Sequence, residues 1–208
     1  MGSPHYEIGR DKFFDRQERA KLLKTCRDKA ELDEAKGRST WPVRYMLVDL
    51  ALFSGLRVAE IAALKVGDLA LKAENPYLTV QRGKGGKRRT VYLDKELVRH
   101  LKSYIKLHLH GPDPESPLFP GRGGNRHCQP ITLMKSFKRA VEEAGLPGHY
   151  SIHCARHTYA TYLLHDTGNL RYVQKQLGHA QIAMTALYAD VLPEENGKLA
   201  NMIRRDET

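Results

Sequence analysis

The residue types best suited to chemistry lie near the C-terminal end of this sequence. His153 and Arg156 are three residues apart, His179 follows Arg156 by 23 residues, and Tyr188 comes nine residues later. A guanidinium can hold phosphate oxygens, an imidazole can move protons, and a tyrosine hydroxyl can attack as a nucleophile. Together these groups predict cleavage of a phosphodiester without a metal ion.

The same residues also have a simpler interpretation. Residues three apart on a helix lie about 60° apart around its axis, so His153 and Arg156 project to one side and can form a solvated basic face. His179 can be a histidine at a helix C-terminus, where the helix dipole favours it, and Tyr188 can be a core aromatic. The apolar residues of the His153 segment form a separate stripe that we expect to face the core: Ala155, Tyr159, Tyr162 and Leu163.

Further cations come earlier in the chain. Arg57 follows a predicted helix break at Ser54-Gly55, where a guanidinium can bind two phosphate oxygens or simply lie at the surface. Lys84 occupies a glycine-rich turn that lets a ligand backbone approach closely, or that forms a solvated basic turn. The basic residues flanking this turn are candidates for DNA contact: Arg82, Lys87, Arg88 and Arg89.

The overall charge favours a polyanionic partner. The chain has 208 residues, a net charge of +10 and a pI of about 9.5, and phosphate neutralisation by such a surplus releases counterions. Its three cysteines form no CxxC pair, which argues against a disulfide framework or a cysteine zinc site and favours a reducing cytosol. No run of 18 apolar residues predicts a membrane span.

Two other chemistries are disfavoured. His149, His153 and His157 recur at helical spacing, but His149 precedes the predicted cap Ser151, and the sequence has neither an HExxH motif nor a carboxylate that completes a metal-binding set. No Gly-x-Ser-x-Gly motif predicts a serine hydrolase. We therefore expect no metal and no other cofactor.

Hydrophobic periodicity predicts a mainly α fold with one small antiparallel sheet (α+β). The strands are predicted at Tyr77–Val80 and Arg89–Leu93, with a third near Val66–Leu71. A long loop is predicted from Gly111 to Pro130, either flexible or ordered by a ligand. The predicted helices begin at or just after these residues: Asp15, Thr40, Val58, Asp94, Thr132, Ser151 and Asn169. Two more are expected near residues 181–189 and 194–205.

Four stretches together resemble the tyrosine recombinase (phage integrase) family. Leu52–Lys65 (LFSGLRVAEIAALK) is similar to the family's first arginine motif, and Gln81–Val91 (QRGKGGKRRTV) to its hairpin lysine motif. Ser151–Leu164 (SIHCARHTYATYLL) resembles its His-x-x-Arg-His box, and Val173–Val191 (VQKQLGHAQIAMTALYADV) the stretch that ends in the nucleophilic tyrosine. The resemblance extends in order over residues 13–192. It departs from the family after the tyrosine, where alanine and aspartate replace the frequent threonine and histidine.

The resemblance implies a tyrosine recombinase catalytic domain with the DNA breaking-rejoining fold at residues 13–208. Residues 1–12 would then be a linker or a cloning remnant, and the family's separate N-terminal helical domain (the core-binding domain) is expected to be absent. The implied enzyme is a site-specific recombinase or integrase that cleaves and rejoins DNA through a 3′-phosphotyrosine intermediate, without metal or ATP. By similarity the catalytic residues are Arg57, Lys84, His153, Arg156, His179 and Tyr188, with Glu60 in a supporting position.

In these implied roles, the two arginines and His179 stabilise the phosphate, His153 is the general base or proton-transfer partner, and Lys84 is the acid for the leaving 5′-oxygen. The expected partner is double-stranded DNA, with assembly into a tetramer through a C-terminal segment at residues 196–208. A cytoplasmic, nucleoid-associated location and no membrane contact are expected. The alternatives are a type IB topoisomerase and a noncatalytic DNA-binding module with the same fold.

Overall fold

The computed structural model describes residues 9–81, 88–109, 113–123, 126–179 and 181–188. These residues form a mainly helical fold with one three-stranded antiparallel sheet, which confirms the predicted fold class. The glycine-rich turn with Lys84, and with it Arg82 and Lys87, lies outside the described residues. The predicted helix at residues 194–205 also lies outside them.

The described helices and strands follow the predicted order. The strands are β1 (Leu69–Ala70), β2 (Tyr77–Val80) and β3 (Arg89–Tyr92). The helices are α1 (Arg16–Glu34), α2 (Thr40–Ser54), α3 (Val58–Ala62), α4 (Lys95–His108), α5 (Pro130–Glu143), α6 (Ile152–Thr167), α7 (Leu170–Leu177) and α8 (Ala183–Ala186). Two short 3₁₀ turns, Arg10–Lys12 and Val66–Asp68, precede α1 and β1.

Helix α2 forms the centre of the core. Its sequence is apolar on most sides, and it packs against α1, α4, α5 and α6. Its buried side chains include Met46, Leu47, Leu50 and Leu52, each at most 1% exposed. Burial of this helix therefore holds in place the break that follows it, where Arg57 begins α3.

The sheet is a meander at the edge of this core. β2 pairs with β1 and with β3, and Leu78 lies opposite Val91 in the β2–β3 register. Both of these side chains are fully buried, whereas their neighbours in sequence are more exposed on β3. The register thus fixes which face of β3 turns toward the helices.

The helix caps are mostly those predicted. Asp15 accepts from the Glu18 backbone N–H, and Glu18 accepts in return from the Asp15 N–H, which forms a capping box. Asp94 and Asn169 cap α4 and α7 through their side chains. Ser151 is the N-cap residue of α6, as predicted, but its hydroxyl lies 3.5 Å from the Cys154 thiol and does not accept from the first turn of the helix.

Most of the long predicted loop between α4 and α5 is described, and its described part packs on the core. Leu118 and Phe119 are buried, and the Leu118 backbone N–H donates to Leu64 O at 2.9 Å. The Tyr104 hydroxyl donates to Leu118 O at 3.1 Å. Contacts with the interior therefore fix the position of Leu118 and Phe119 within this stretch.

Candidate active site

Arg57 is positioned by the end of α2. Gly55 ends that helix with a φ of 63°, and a Cβ there would collide with the side chains of Tyr159 and Leu177. The chain then turns so that Arg57 precedes the first residue of α3. The Arg57 backbone N–H donates to Glu60 Oε2 at 2.8 Å, and its Nη1 donates to Glu60 Oε1 at 3.1 Å.

Glu60 is a buried carboxylate that two arginines share. Its side chain is 5% exposed, and Arg89 Nη1 and Nη2 donate to its two oxygens at 2.7 and 2.8 Å. Burial alone would raise the pKa of Glu60, but the hydrogen bonds and positive charge of Arg89 hold it below its ordinary value. Glu60 is therefore ionised at neutral pH and fixes both guanidiniums.

Arg89 also joins β3 to the C-terminal end of α7. Its Nε donates to Gln176 O at 3.1 Å, and the Tyr92 backbone N–H donates to Gln176 Oε1 at 3.2 Å. Gly178, with a φ of 66°, ends α7, and a Cβ on it would lie 2.7 Å from Arg89 Cδ. A glycine is needed here both for its backbone conformation and for the space that Arg89 fills.

Arg156 is buried instead of lying on a solvated helix face. It is 7% exposed, and its guanidinium donates through Nη1 to Gly55 O and through Nη2 to Leu177 O, the latter at 2.8 Å. Burial and the nearby Arg57 lower its pKa to about 10. The simpler interpretation of Arg156 as a surface residue is therefore wrong, because the ends of α2 and α7 both bind it.

His179 lies just beyond α7. Its Nδ1 is 3.0 Å from Thr185 Oγ1, and its ring stacks on that of Tyr188 with centroids 6.4 Å apart. Burial and the charge of Arg156 lower the pKa of His179 to about 4. Near neutral pH this imidazole is uncharged, so it can donate one hydrogen bond to an oxyanion while Thr185 holds its other nitrogen.

Tyr188 is buried beside His179 and His157. It is 6% exposed, and its ring joins a small apolar cluster with Ala160, Val173 and Leu177. Its hydroxyl lies 3.0 Å from Nδ1 of His157. The predicted nucleophile is thus packed against helices α6 and α7 of its own chain.

Most of the chain matches one known protein family. The Phage integrase family matches residues 12–195. The chain belongs to this family.

The integrase-family relatives are longer than the region that aligns with this chain. A tyrosine recombinase of Thermosipho africanus (strain TCF52B) is 33% identical over 149 residues, which are 71% of this chain and 50% of the relative. The tyrosine recombinase XerC of Nitrobacter winogradskyi (strain ATCC 25391 / DSM 10237 / CIP 104748 / NCIMB 11846 / Nb-255) is 34% identical over 152 residues, 73% of this chain and 46% of the relative. The chain spans about half the length of these curated relatives.

Solved structures of integrase-family recombinases share the fold. The XerA recombinase superposes with a TM-score of 0.71 at 25% identity, covering 98% of this chain and 67% of that one. The XerH site-specific recombinase superposes with a TM-score of 0.75 at 25% identity, covering 93% of this chain and 53% of that one. That structure is a post-cleavage complex bound to a palindromic difH substrate.

The structure of this integrase-family chain brings most of the predicted site together. The charges of Arg57 and Glu60 act on Arg156, and the Tyr188 ring stacks on His179. His153 projects from α6 into solvent, although its charge reaches His157. Exposed Arg88 fits its predicted role in DNA contact better than Arg89, whose guanidinium is bound to Glu60.

Two functional features of this integrase-family site were missed in the sequence. His157 ends the His-x-x-Arg-His box and was weighed as a metal ligand, but it was given no role in the reaction, yet it is the residue hydrogen-bonded to Tyr188. Its position directly after Arg156, in the same turn of α6, is the signal that could have indicated it. Arg89 connects the site residues through its hydrogen bonds to Glu60 and Gln176. Both partners are far from Arg89 in sequence, so no local pattern indicates these contacts.

The described residues show no candidate group of metal ligands and no candidate membrane-spanning helix. No group of three or more His, Cys, Asp or Glu side chains in it is arranged to hold a metal ion. None of its helices is both long and apolar enough to cross a membrane.

Proposed function

We propose that this chain is the catalytic domain of a site-specific DNA recombinase that cleaves and rejoins strands through a 3′-phosphotyrosine intermediate. The observation that carries the proposal is the position of Tyr188, which is buried against two imidazoles in a group that also contains Arg156 and Arg57. Similarity to tyrosine recombinases over most of the chain supports the same conclusion.

In the proposed reaction, the Tyr188 oxygen forms a bond to phosphorus while the bond to the 5′-oxygen breaks. Arg57 and Arg156 stabilise the charge that builds on the nonbridging oxygens, and His179 donates a hydrogen bond to them. Lys84 gives a proton to the leaving 5′-oxygen. His153, which is exposed in the DNA-free chain, is the proposed proton-transfer partner for the tyrosine once DNA is bound. A 5′-hydroxyl reverses the step, so the bond energy is conserved and no ATP is needed.

Arg156 shows how the pocket could hold a phosphate. Two of its five N–H groups donate to main-chain carbonyls, which fix the guanidinium plane. Its remaining N–H groups can then donate to a phosphate without any loss of side-chain conformational freedom on binding. Such preorganised donors contribute most where water is excluded, as at this buried position.

Covalent capture tests the proposal without knowledge of the DNA site. The protein is incubated with nicked duplexes whose core sequence is randomised, in the presence of EDTA, and adducts are isolated on denaturing gels. We expect an adduct whose DNA-linked peptide contains Tyr188. The Tyr188→Phe variant should bind DNA with unchanged affinity and form no adduct. An adduct that persists in this variant, or that maps to another residue, contradicts the proposal.

A nicking-closing activity like that of a type IB topoisomerase is a second candidate. The observation that favours it is the presence of Tyr188 and the arginines in one chain, which lets a monomer cleave DNA. Relaxation of a supercoiled plasmid at low protein concentration, without strand exchange between two captured sites, would identify this activity. Binding without any adduct would identify a noncatalytic module.

We also propose that recombination uses a tetramer on paired DNA sites, assembled through residues 196–208, and that the protein associates with the nucleoid of the cytoplasm. The net charge of +10 supports association with DNA. Sedimentation of the protein on a captured duplex, compared with a form ending at residue 195, tests the assembly. Equal sedimentation of both complexes would contradict a role for that segment.

A further inference from the structure

We propose that His157 is a positioning residue for the nucleophile, which accepts the hydrogen bond of the Tyr188 hydroxyl at Nδ1 and so fixes the direction of the phenol in the pocket. This inference rests on the proposed function in one respect, that Tyr188 is the nucleophile. It assigns to His157 a task that differs from the proton transfer proposed for His153.

The contact has the geometry of a real hydrogen bond. Nδ1 of His157 lies 3.0 Å from the Tyr188 hydroxyl, and the two rings lie 5.8 Å apart at an angle of 43°. Tyr188 is 6% exposed, so water does not compete freely for its hydroxyl. His157 follows Arg156 directly on α6, and one turn of helix therefore sets both the phosphate-binding guanidinium and the partner of the tyrosine.

The surroundings of His157 allow its ring to accept this hydrogen bond. Burial, together with the charges of Arg156, His153 and Lys12, lowers its pKa to about 4. Near neutral pH the ring is uncharged and has one acceptor nitrogen, which faces the phenol in the tautomer with its proton on Nε2. The Tyr188 hydroxyl then donates to Nδ1, and the lone pairs on its oxygen take no part in this hydrogen bond.

Positioning accounts for this geometry better than removal of the proton. A free tyrosine has a pKa of about 10, so transfer of its proton to a group with a pKa near 4 is unfavourable by about 10⁶-fold in the empty pocket. A neutral acceptor is, by contrast, well suited to orient a hydroxyl. Displacement of a reacting atom by about 1 Å can reduce a rate by about 10²-fold.

Three substitutions of His157 separate the hydrogen bond from the bulk of the ring. Asparagine places an amide oxygen near the position of Nδ1, glutamine reaches instead toward that of Nε2, and leucine keeps volume without a polar atom. We expect His157→Asn to retain most of the rate of adduct formation on saturating DNA, and His157→Gln and His157→Leu to lose about 10²-fold. The affinity for DNA should change less than twofold, because His157 is not among the proposed phosphate contacts.

A control and a second measurement distinguish positioning from a general structural effect. His165, two turns further along α6, is substituted with asparagine and leucine, and we expect no change in rate. The ten tyrosines are labelled at Cζ with ¹³C, and the Tyr188 resonance is assigned in DNA-free protein by its loss in Tyr188→Phe. We expect His157→Leu to shift this resonance, His157→Asn to shift it less, and the His165 variants to leave it in place.

Several results would overturn the inference. An unshifted Tyr188 resonance in His157→Leu would show that the hydrogen bond is absent in solution. An unchanged cleavage rate in that variant, or equal losses in the asparagine and glutamine variants, would show that the bond does not position the nucleophile. If the wild-type protein forms no adduct, the proposed function fails, whereas the resonance still reports separately on the contact.

Discussion

Arg88 and Arg89 are adjacent arginines that the structure predicts to act in different ways. Arg88 is exposed, whereas the side chain of Arg89 is 11% exposed and donates two hydrogen bonds to Glu60. The substitutions Arg88→Gln and Arg89→Gln remove the same charge from neighbouring positions. We expect the first to weaken DNA binding and the second to destabilise the fold.

The magnitude for Arg89 follows from its partner. Loss of one member of a buried ion pair costs about 3–5 kcal/mol, largely because the other charge stays buried. Glu60 keeps two hydrogen bonds from Arg57, so we expect the lower end of this range, about 3 kcal/mol. Arg88→Gln should change the free energy of unfolding by less than about 0.5 kcal/mol, as is usual for exposed positions.

Two measurements check this difference. Urea denaturation of DNA-free protein gives the free energy of unfolding for each variant. The salt dependence of binding to a duplex gives the number of phosphate contacts, since each contact contributes about 0.9 to the slope of log K against log salt. We expect Arg88→Gln to reduce that slope by about 0.9 and Arg89→Gln to leave it unchanged under conditions in which both variants are folded.

A double-mutant cycle with Glu60→Gln tests the cause. If the two side chains stabilise the fold through each other, the double variant should be much less destabilised than the sum of the single variants. The reasoning is refuted if Arg89→Gln unfolds at the same urea concentration as Arg88→Gln and lowers the salt slope equally. Arg89 would then contact DNA as the sequence pattern first indicated.

Three further predictions concern other parts of the site. Burial lowers the pKa of His157 and His179 to about 4 from an ordinary value near 6.5. Between these two values the unfolded chain binds more protons than the folded chain, so acid favours unfolding. Urea denaturation should therefore show full stability above about pH 6.5 and a decline toward pH 4. Gly178→Ala should destabilise the fold by about 1–3 kcal/mol, because its φ is positive and Arg89 fills the space of the new methyl group; an unchanged urea midpoint would contradict this. Lys84→Ala should cleave DNA slowly but recover on a 5′-thio leaving group, whereas equal loss on both substrates would exclude Lys84 as the acid.

Local patterns were sufficient to predict the secondary structure. The antiparallel strands at residues 77–80 and 89–92 are rich in β-branched and aromatic residues. Asp15, Asp94 and Asn169 are residue types whose side chains accept from the first turn of a helix. Ser151 is of the same type and is the predicted N-cap residue of α6, but its side chain makes no capping hydrogen bond. Its carbonyl, not its hydroxyl, accepts from the Cys154 and Ala155 N–H groups.

The burial and the hydrogen-bond partners of the charged side chains could not be predicted in the same way. Arg156 lies on a helix with basic and apolar faces, and its burial depends on carbonyls at Gly55 and Leu177, which are 101 and 21 residues away. Arg89 stands in a run of basic residues that resembles a surface patch, and its partner Glu60 is 29 residues away. Such pairings depend on how the helices and the sheet pack against one another. Composition and periodicity carry no information about that packing.

The carbonyl groups at the end of α7 explain why these distant arginines meet. The last carbonyls of a helix have no partners within it and carry partial negative charge, so they favour cations. Gln176 O accepts from Arg89 and Leu177 O accepts from Arg156, one residue before the chain turns at Gly178 toward His179. Since Arg89 also binds Glu60, which in turn holds Arg57, one chain of contacts runs from the hairpin strand through the arginines to the histidine. A shift of β3 would therefore change the positions of Arg57 and His179 together.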